Sequence, residues 1–153
     1  MREETDAERM NERHESVAII GAGVSGLTSG VLLAEAGYRA RIFAEEIGPS
    51  TTSAAAAAVW FPYDAEPAEA VIAWSLETFT VLQGLCRDPA SGVSMIDLRQ
   101  FSRAGELEIP AWALSLGARR LPANSIPKSF TSGFALQVPL LNTTRYLDYL
   151  TER

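Results

Sequence analysis

The chain has 153 residues, 47% of them hydrophobic, and a formal net charge of −6, which suits one globular domain with a real core. The acidic balance argues against nucleic acid or an anionic membrane as partner, and no apolar run reaches the roughly 20 residues that cross a bilayer. Cys86 is the one cysteine, which excludes a disulfide framework and a thiolate metal cluster and fits a reducing, cytoplasmic setting.

In chain order, residues 1–16 carry dense charge of both signs and no apolar centre, so they are expected to be a flexible extension rather than a signal peptide. Residues 17–20 form a short apolar strand, and Gly21, Gly23 and Gly26 follow at the spacing of a dinucleotide-binding turn. The first glycine allows a tight turn, the second lets a pyrophosphate approach backbone N–H groups, and the third lets helix and strand pack closely. The helix N-terminus adds partial positive charge. A helix is expected from Ser25, with Leu27, Val31, Leu32 and Ala34 on one face and Gly37 as its stop. The strand over 39–44 then completes a βαβ unit with parallel strands.

Residues 49–58 are rich in small side chains and lead into Trp60-Phe61-Pro62-Tyr63. The alanine run behind Ser53 favours a capped helix by propensity, although two hydroxyl residues there could also meet a phosphate. Residues 67–86 read as a helix with Val71, Trp74, Thr78, Leu82 and Leu85 in register, begun by Pro67. Strands are expected over 93–102, 113–118 and 133–140, with antiparallel pairing because no helix joins them. A last helix begins near Asn142 or Thr143, with Tyr146, Leu147 and Leu150 on one face. Two parallel strands with an antiparallel group do not complete a nucleotide-binding sheet. The chain is therefore expected to be the N-terminal part of something longer, with completion by another chain as the alternative.

Glu45 ends the second strand about 20 residues beyond the glycine turn, the offset at which a carboxylate accepts hydrogen bonds from an adenosine ribose. Glu46 beside it disfavours a 2′-phosphate by charge repulsion. Gly30 extends the glycine series, and close helix packing accounts for it as well as a mild preference for FAD does. His14, Cys86, the arginines at 99, 103, 119, 120 and 145, and Trp60, Trp74 and Trp112 read as surface or core residues. No metal-ligand spacing occurs.

The segments Gly21-Ala22-Gly23-Val24-Ser25-Gly26, Phe43-Ala44-Glu45, Pro49-Ser50-Thr51-Thr52-Ser53 and Ala56-Ala57-Ala58-Val59-Trp60-Phe61-Pro62-Tyr63, in that order, resemble the N-terminal half of the D-amino-acid oxidase family. The likeness continues through Trp74-Ser75 and Thr78-Phe79 to Tyr146-Leu147 and Leu150-Thr151-Glu152-Arg153. It implies an α/β fold, a partial Rossmann-type FAD-binding layer with the beginning of an antiparallel substrate-domain sheet. The implied division is an extension over 1–16, an FAD-binding βαβ region over 17–90, substrate-domain strands over 91–141 and a terminal helix over 142–153.

The cofactor implied is FAD. Ala22, Val24 and Ser25 would meet its pyrophosphate through backbone N–H groups, between Gly21, Gly23 and Gly26. Glu45 and Glu46 would flank the ribose, and Thr52 and Ser53 would contact phosphate or ribityl oxygens. Ala57, Ala58 and Val59 would line the isoalloxazine, with Phe61 and Tyr63 toward the substrate. The sequence departs from the family where glycine is common at Ala58, a basic residue at Glu46 and glutamine at Phe61. The implied reaction is oxidation of a D-amino acid by oxygen to a keto acid, ammonia and hydrogen peroxide. The family's substrate-clamping arginine and pocket tyrosines lie in its C-terminal half, so no residue here is assigned as catalytic and this chain alone is expected to be inactive. A glycine or D-aspartate oxidase shares these motifs. An NAD-dependent dehydrogenase uses Gly21 to Glu45 but has no use for Thr51 to Tyr63. A non-catalytic fragment, a homodimer or a subunit needing a second chain are the remaining readings.

Overall fold

A computed structural model describes residues 15–62 and 65–153. The expected extension over 1–16 lies outside the described residues as far as His14, as does the pocket residue Tyr63, and its last residue, Ser16, already belongs to the first strand. The chain forms two compact units, residues up to 57 with 90–92 and 142–153, and residues 58–89 with 93–141.

In the first unit, strand β1 (Ser16–Ile20) pairs in parallel with β2 (Arg39–Phe43), from Ser16 opposite Arg39 to Ile20 opposite Phe43. The Gly21 N–H donates to the Phe43 carbonyl at 2.8 Å and carries the ladder one step further. Helix α1 (Val24–Glu35) crosses between the strands. It ends as the glycine at 37 predicts: Gly37 has φ +91°, its N–H reaches the Ala34 carbonyl, and the Tyr38 N–H reaches Leu33. Those two bonds are a Schellman motif. The expected face of α1 packs only in part, through Leu27 and the half-buried Val31. Leu27 and Gly30 are buried, whereas Leu32 is 60% exposed and Ala34 is also exposed. The helix approaches the strands along its glycine edge, because a bare Cα permits a shorter distance than a leucine row does.

Helix α2 (Thr52–Ala55) is a single turn, capped by the Thr51 hydroxyl, which accepts from the Ala54 N–H. The alanine run does not prolong it, and Ala56 is already extended at φ −70°, ψ 145°. Tertiary pairing overrides alanine's helix preference here, since Ala58 accepts a hydrogen bond from Leu141 in strand register.

In the second unit, helix α3 (Ala68–Leu85) follows Pro67 at its N-cap and buries Phe79 and Leu82. Trp74 is not a core residue; it is 61% exposed. Strand β3 (Val93–Ser102) pairs antiparallel with β5 (Ser132–Leu141) along its whole length, the pairing expected from the sequence. The strand expected over 113–118 is instead helix α4 (Ala111–Ser115). Pro110 at its N-cap lacks the N–H a helix start leaves unpaired, and Gly117, at φ +83°, closes it with a second Schellman pair. Strand pairing is left to the two residues of β4 (Arg119–Arg120), opposite Phe134 and Ala135.

Phe134, Leu136 and Val138 of β5 are almost wholly buried, each contributing about 1.5–3 kcal/mol by removal from water. Pro139 is tolerated within β5 because its position faces the short segment 58–60, where the Trp60 N–H donates to the Pro139 carbonyl at 2.8 Å. Trp60 is buried there, edge-on to Phe79 and Trp112, and its Nε1 donates to the Ser75 carbonyl.

Helix α5 (Thr143–Glu152) returns to the first unit. Asn142 caps it by accepting from the Arg145 N–H, and Tyr146, Leu147 and Leu150 are buried, as the sequence pattern predicts. Among the described residues no helix is long and apolar enough to cross a membrane.

Burial pushes the Tyr146 phenol above the usual tyrosine range, with Tyr149 adding to the rise and Arg153 opposing it. The neutral phenol is the form the fold favours, so its contribution is complete below pH ~10 and is lost as pH rises through the folded value. Tyr146→Phe should therefore lessen the fall in melting temperature between pH 9 and pH 11 relative to the unaltered chain; an identical fall in both would contradict this.

Candidate functional site

The glycine turn is built as close packing requires. Gly21, at φ +101°, takes a conformation that side chains resist and turns the chain out of β1. A Cβ on Gly26 would overlap the Gly21 carbonyl oxygen, and one on Gly30 would stand 3.1 Å from Ile42 Cδ1 and 3.6 Å from Ile19 Cδ1. Gly26 thus holds α1 against the turn, and Gly30 holds it against both strands. Gly23 is different: a Cβ there would lie 2.8 Å from Ser53 Oγ. The Ser53 hydroxyl accepts from the Val24 N–H at 3.0 Å, so a residue of α2 caps α1.

At the C-terminal ends of β1 and β2 lies an open cleft of about 800 Å³. Gly21 and Gly23 form one wall, Glu45 and Glu46 another, and Thr51 and Thr52 a third, with Ile20, Ile42, Phe43 and Ala44 as its apolar lining. Four of the residues picked out by their place in the βαβ pattern, Gly21, Gly23, Glu45 and Glu46, are therefore gathered at one place with Thr52. The cleft brings bare glycine backbone, Thr52 and two carboxylates together with an apolar lining, a layout that suits an anionic group joined to a sugar and a flat ring.

Of the remaining sequence-predicted site residues, Val24 and Ser53 meet in the cap, while Ala22 is buried and Ser25 exposed beside them in the first unit. Gly26 serves packing. Ala57 is exposed in the first unit, whereas Ala58 and Val59 belong to the second, where Val59 bridges Leu140. Phe61 stands edge-on to Trp112, with ring centroids 5.1 Å apart. The cleft's apolar floor was not singled out, because Ile20 and Phe43 read simply as strand interior. Thr51 also caps α2, and its signal is a hydroxyl residue before a short helix-forming run.

In the second unit, Asp97 accepts from Arg99 Nε at 2.9 Å and from Arg119 Nη2 at 3.2 Å. The Arg99 hydrogen bond foremost, with that of Arg119, holds its carboxyl below the usual range against the opposing effect of desolvation. Arg120 pairs with Glu106 at 3.0 Å. These arginines are exposed strand residues with acidic partners. Among the described residues no group of three or more His, Cys, Asp or Glu side chains is placed to hold a metal ion.

A parallel βαβ unit whose first strand runs through a glycine turn into its helix is the architecture of the α/β dinucleotide-binding class. Residues 16–135 match the family model described as DAO, FAD dependent oxidoreductase, and the chain belongs to that family. It is similar to the D-amino-acid oxidase of Rubrobacter xylanophilus, 38% identical over 139 residues that make up 88% of this chain and 42% of the relative. The D-amino-acid oxidase of Streptomyces coelicolor is 35% identical over 97% of this chain and 46% of its own length. That of Dictyostelium discoideum is 31% identical over 90% and 41%. The chain therefore spans less than half the length of these relatives.

Replacing Gly26 by alanine should cost about 4 kcal/mol or more, because its methyl group meets a backbone carbonyl that cannot swing away. Thr52→Ala, at an exposed position, should stay within about 0.5 kcal/mol. Urea denaturation of the two variants checks the contrast; equal losses would mean that α1 does not pack through Gly26.

Proposed function

We propose that the first unit is the FAD-binding portion of a D-amino-acid-oxidase-like flavoenzyme that converts D-amino acids, oxygen and water to keto acids, ammonia and hydrogen peroxide. The observation that carries this reading is the cleft that collects Gly21, Gly23, Glu45, Glu46 and Thr52 at one end of the parallel strands. Those groups fit the cofactor by chemistry. The start of α1 and the hydroxyls of Thr52 and Ser53 are donors for a pyrophosphate, with the backbone of Ala22, Val24 and Ser25 beside them. Glu45 accepts from the adenosine ribose, and Glu46 repels a 2′-phosphate. The resemblance alone assigns Ala57, Ala58 and Val59 to the isoalloxazine and Phe61 and Tyr63 to the substrate border. FAD, when bound, supplies the hydride acceptor for the amino acid's α-carbon.

No residue of this chain is assigned a catalytic role. Binding the substrate carboxylate calls for a bidentate arginine, and Arg99, Arg119 and Arg120 already have acidic partners. We place that clamp in polypeptide beyond the matched region. D-Amino acids are favoured over glycine or D-aspartate because the three relatives are each named D-amino-acid oxidase. A completing chain is the second reading, and one observation favours further polypeptide of some kind. Parallel sheets are normally covered on both faces, yet Ile20 is 91% exposed and Phe43 56%. The single cysteine fits a cytoplasmic enzyme.

Addition of FAD to the chain should quench flavin fluorescence saturably, and Glu45→Ala should weaken binding about tenfold, the scale of a hydrogen bond to a charged group. An absence of any flavin binding would refute the reading for this chain. Peroxide release from D-alanine should be undetectable with this chain alone and should appear, with D-alanine and not L-alanine, once it is joined to the missing share of a relative.

A further inference from the structure

We propose that one side of α3 is a docking surface for a second copy of this chain, the two α3 helices packing antiparallel about a two-fold axis. No ligand takes part, and nothing in the proposal depends on the FAD reading.

Val71, Trp74, Thr78, Val81 and Leu85 recur three and four residues apart along α3, the spacing of a seam along which helices pair. The core takes a different side of the helix, through Phe79 and Leu82. Trp74 is 61% and Val81 57% exposed, and Val71 and Leu85 are half-buried beside them. One exposed apolar residue is ordinary, but a continuous row on one element marks a contact surface. Thr78 does not interrupt the row. Its hydroxyl donates to the Trp74 carbonyl at 2.8 Å, so the polar atom is answered within the helix and the methyl group is left for contact.

The charges beside the seam select its occupant and register. Glu77 and Gly84, one heptad apart, flank the seam on the side away from Phe79 and Leu82. Arg87 Nη2 lies 3.9 Å from where a Cβ on Gly84 would stand, which sets the guanidinium over that position. Among the described residues neither Glu77 nor Arg87 forms an ion pair. Consider an antiparallel pair that places Trp74 against Leu85, and Thr78 against Val81, of the second copy. Glu77 of each helix then comes beside Gly84 of the other, and so beside Arg87, and the two-fold axis makes this contact twice. Sliding the helices by one heptad, so that Trp74 meets Thr78, would instead set the two Glu77 carboxylates against each other. Opposite charge favours the first register and like charge rejects the second. The surface is thus complementary to itself, as a two-fold interface requires.

Equilibrium sedimentation of the whole chain between roughly 1 and 200 µM should show a reversible dimer with a dissociation constant on the order of 10 µM, the scale of a small interface. Trp74→Lys, at an exposed position, should weaken it about a hundredfold and leave the far-ultraviolet circular dichroism unchanged. Glu77→Arg and Arg87→Glu should each weaken it about tenfold, because the axis repeats each repulsion. An equimolar mixture of those two variants should regain the unaltered affinity, since each helix then meets opposite charge across the axis at both contacts. A chain that stays monomeric, a dimer that Trp74→Lys leaves intact, or a mixture as weak as its components would overturn the proposal. A dimer that is lost once the chain is joined to the missing share of a relative would assign the seam to that polypeptide, and would overturn it as well.

Discussion

The distance between α1 and the two strands it joins governs the first unit. At Gly26 the helix backbone comes so close to the Gly21 carbonyl that a single methyl group would overlap it, and at Gly30 the tips of Ile19 and Ile42 fill the space a side chain would take. This approach fixes the angle at which the chain leaves β1, which is why Gly21 must adopt a positive φ. It also sets where α1 begins and so brings its first donors to the end of the strands. The cleft exists because the helix can come this near. Glu45 and Glu46 enter it because β2 is held in register with β1, and Thr51 and Thr52 because the turn before α2 is fixed by its own hydrogen bonds.

The second unit rests on a different principle. Its stability comes from side-chain burial on a long antiparallel pair, with Phe134, Leu136 and Val138 almost wholly removed from water. An antiparallel sheet can leave one face to solvent, and the ion-paired Asp97, Arg99 and Arg119 show such a face here. The two-stranded parallel sheet of the first unit has no such latitude. Its Ile20 and Phe43 are exposed at the strand ends, where they line the cleft.

Much of the fold was legible because the signals were local. Gly37 ends α1, Asn142 caps α5, and the glycine spacing marks the strand-to-helix turn, each through a backbone need that one residue type meets best. The failures share a cause as well. Leu32, Trp74 and the run at 113–118 were read from apolar pattern, and pattern does not say which side of a helix meets its neighbour. For α1 the glycine edge won over the leucine row. In 113–118, Pro110 and Gly117 bracket a helical turn that a short apolar run cannot distinguish from a strand. The alanines after Ser53 failed in the opposite direction, because strand pairing of 58–60 outweighed a strong helix propensity.

By itself the sequence determined the class of the protein. The glycine turn, the acid at the end of the next strand and the hydroxyl pair before the alanines are local patterns tied to backbone conformation, so they survive reading in one dimension. Tertiary structure alone decided how these parts meet. That Ser53 caps α1, that Thr51 lines the cleft and that an apolar floor runs along Ile20, Ile42 and Phe43 depends on residues brought together from separate elements. The physical reason is the packing distance at Gly26 and Gly30: spacing can name the glycines, but only the folded chain shows what occupies the room each one leaves.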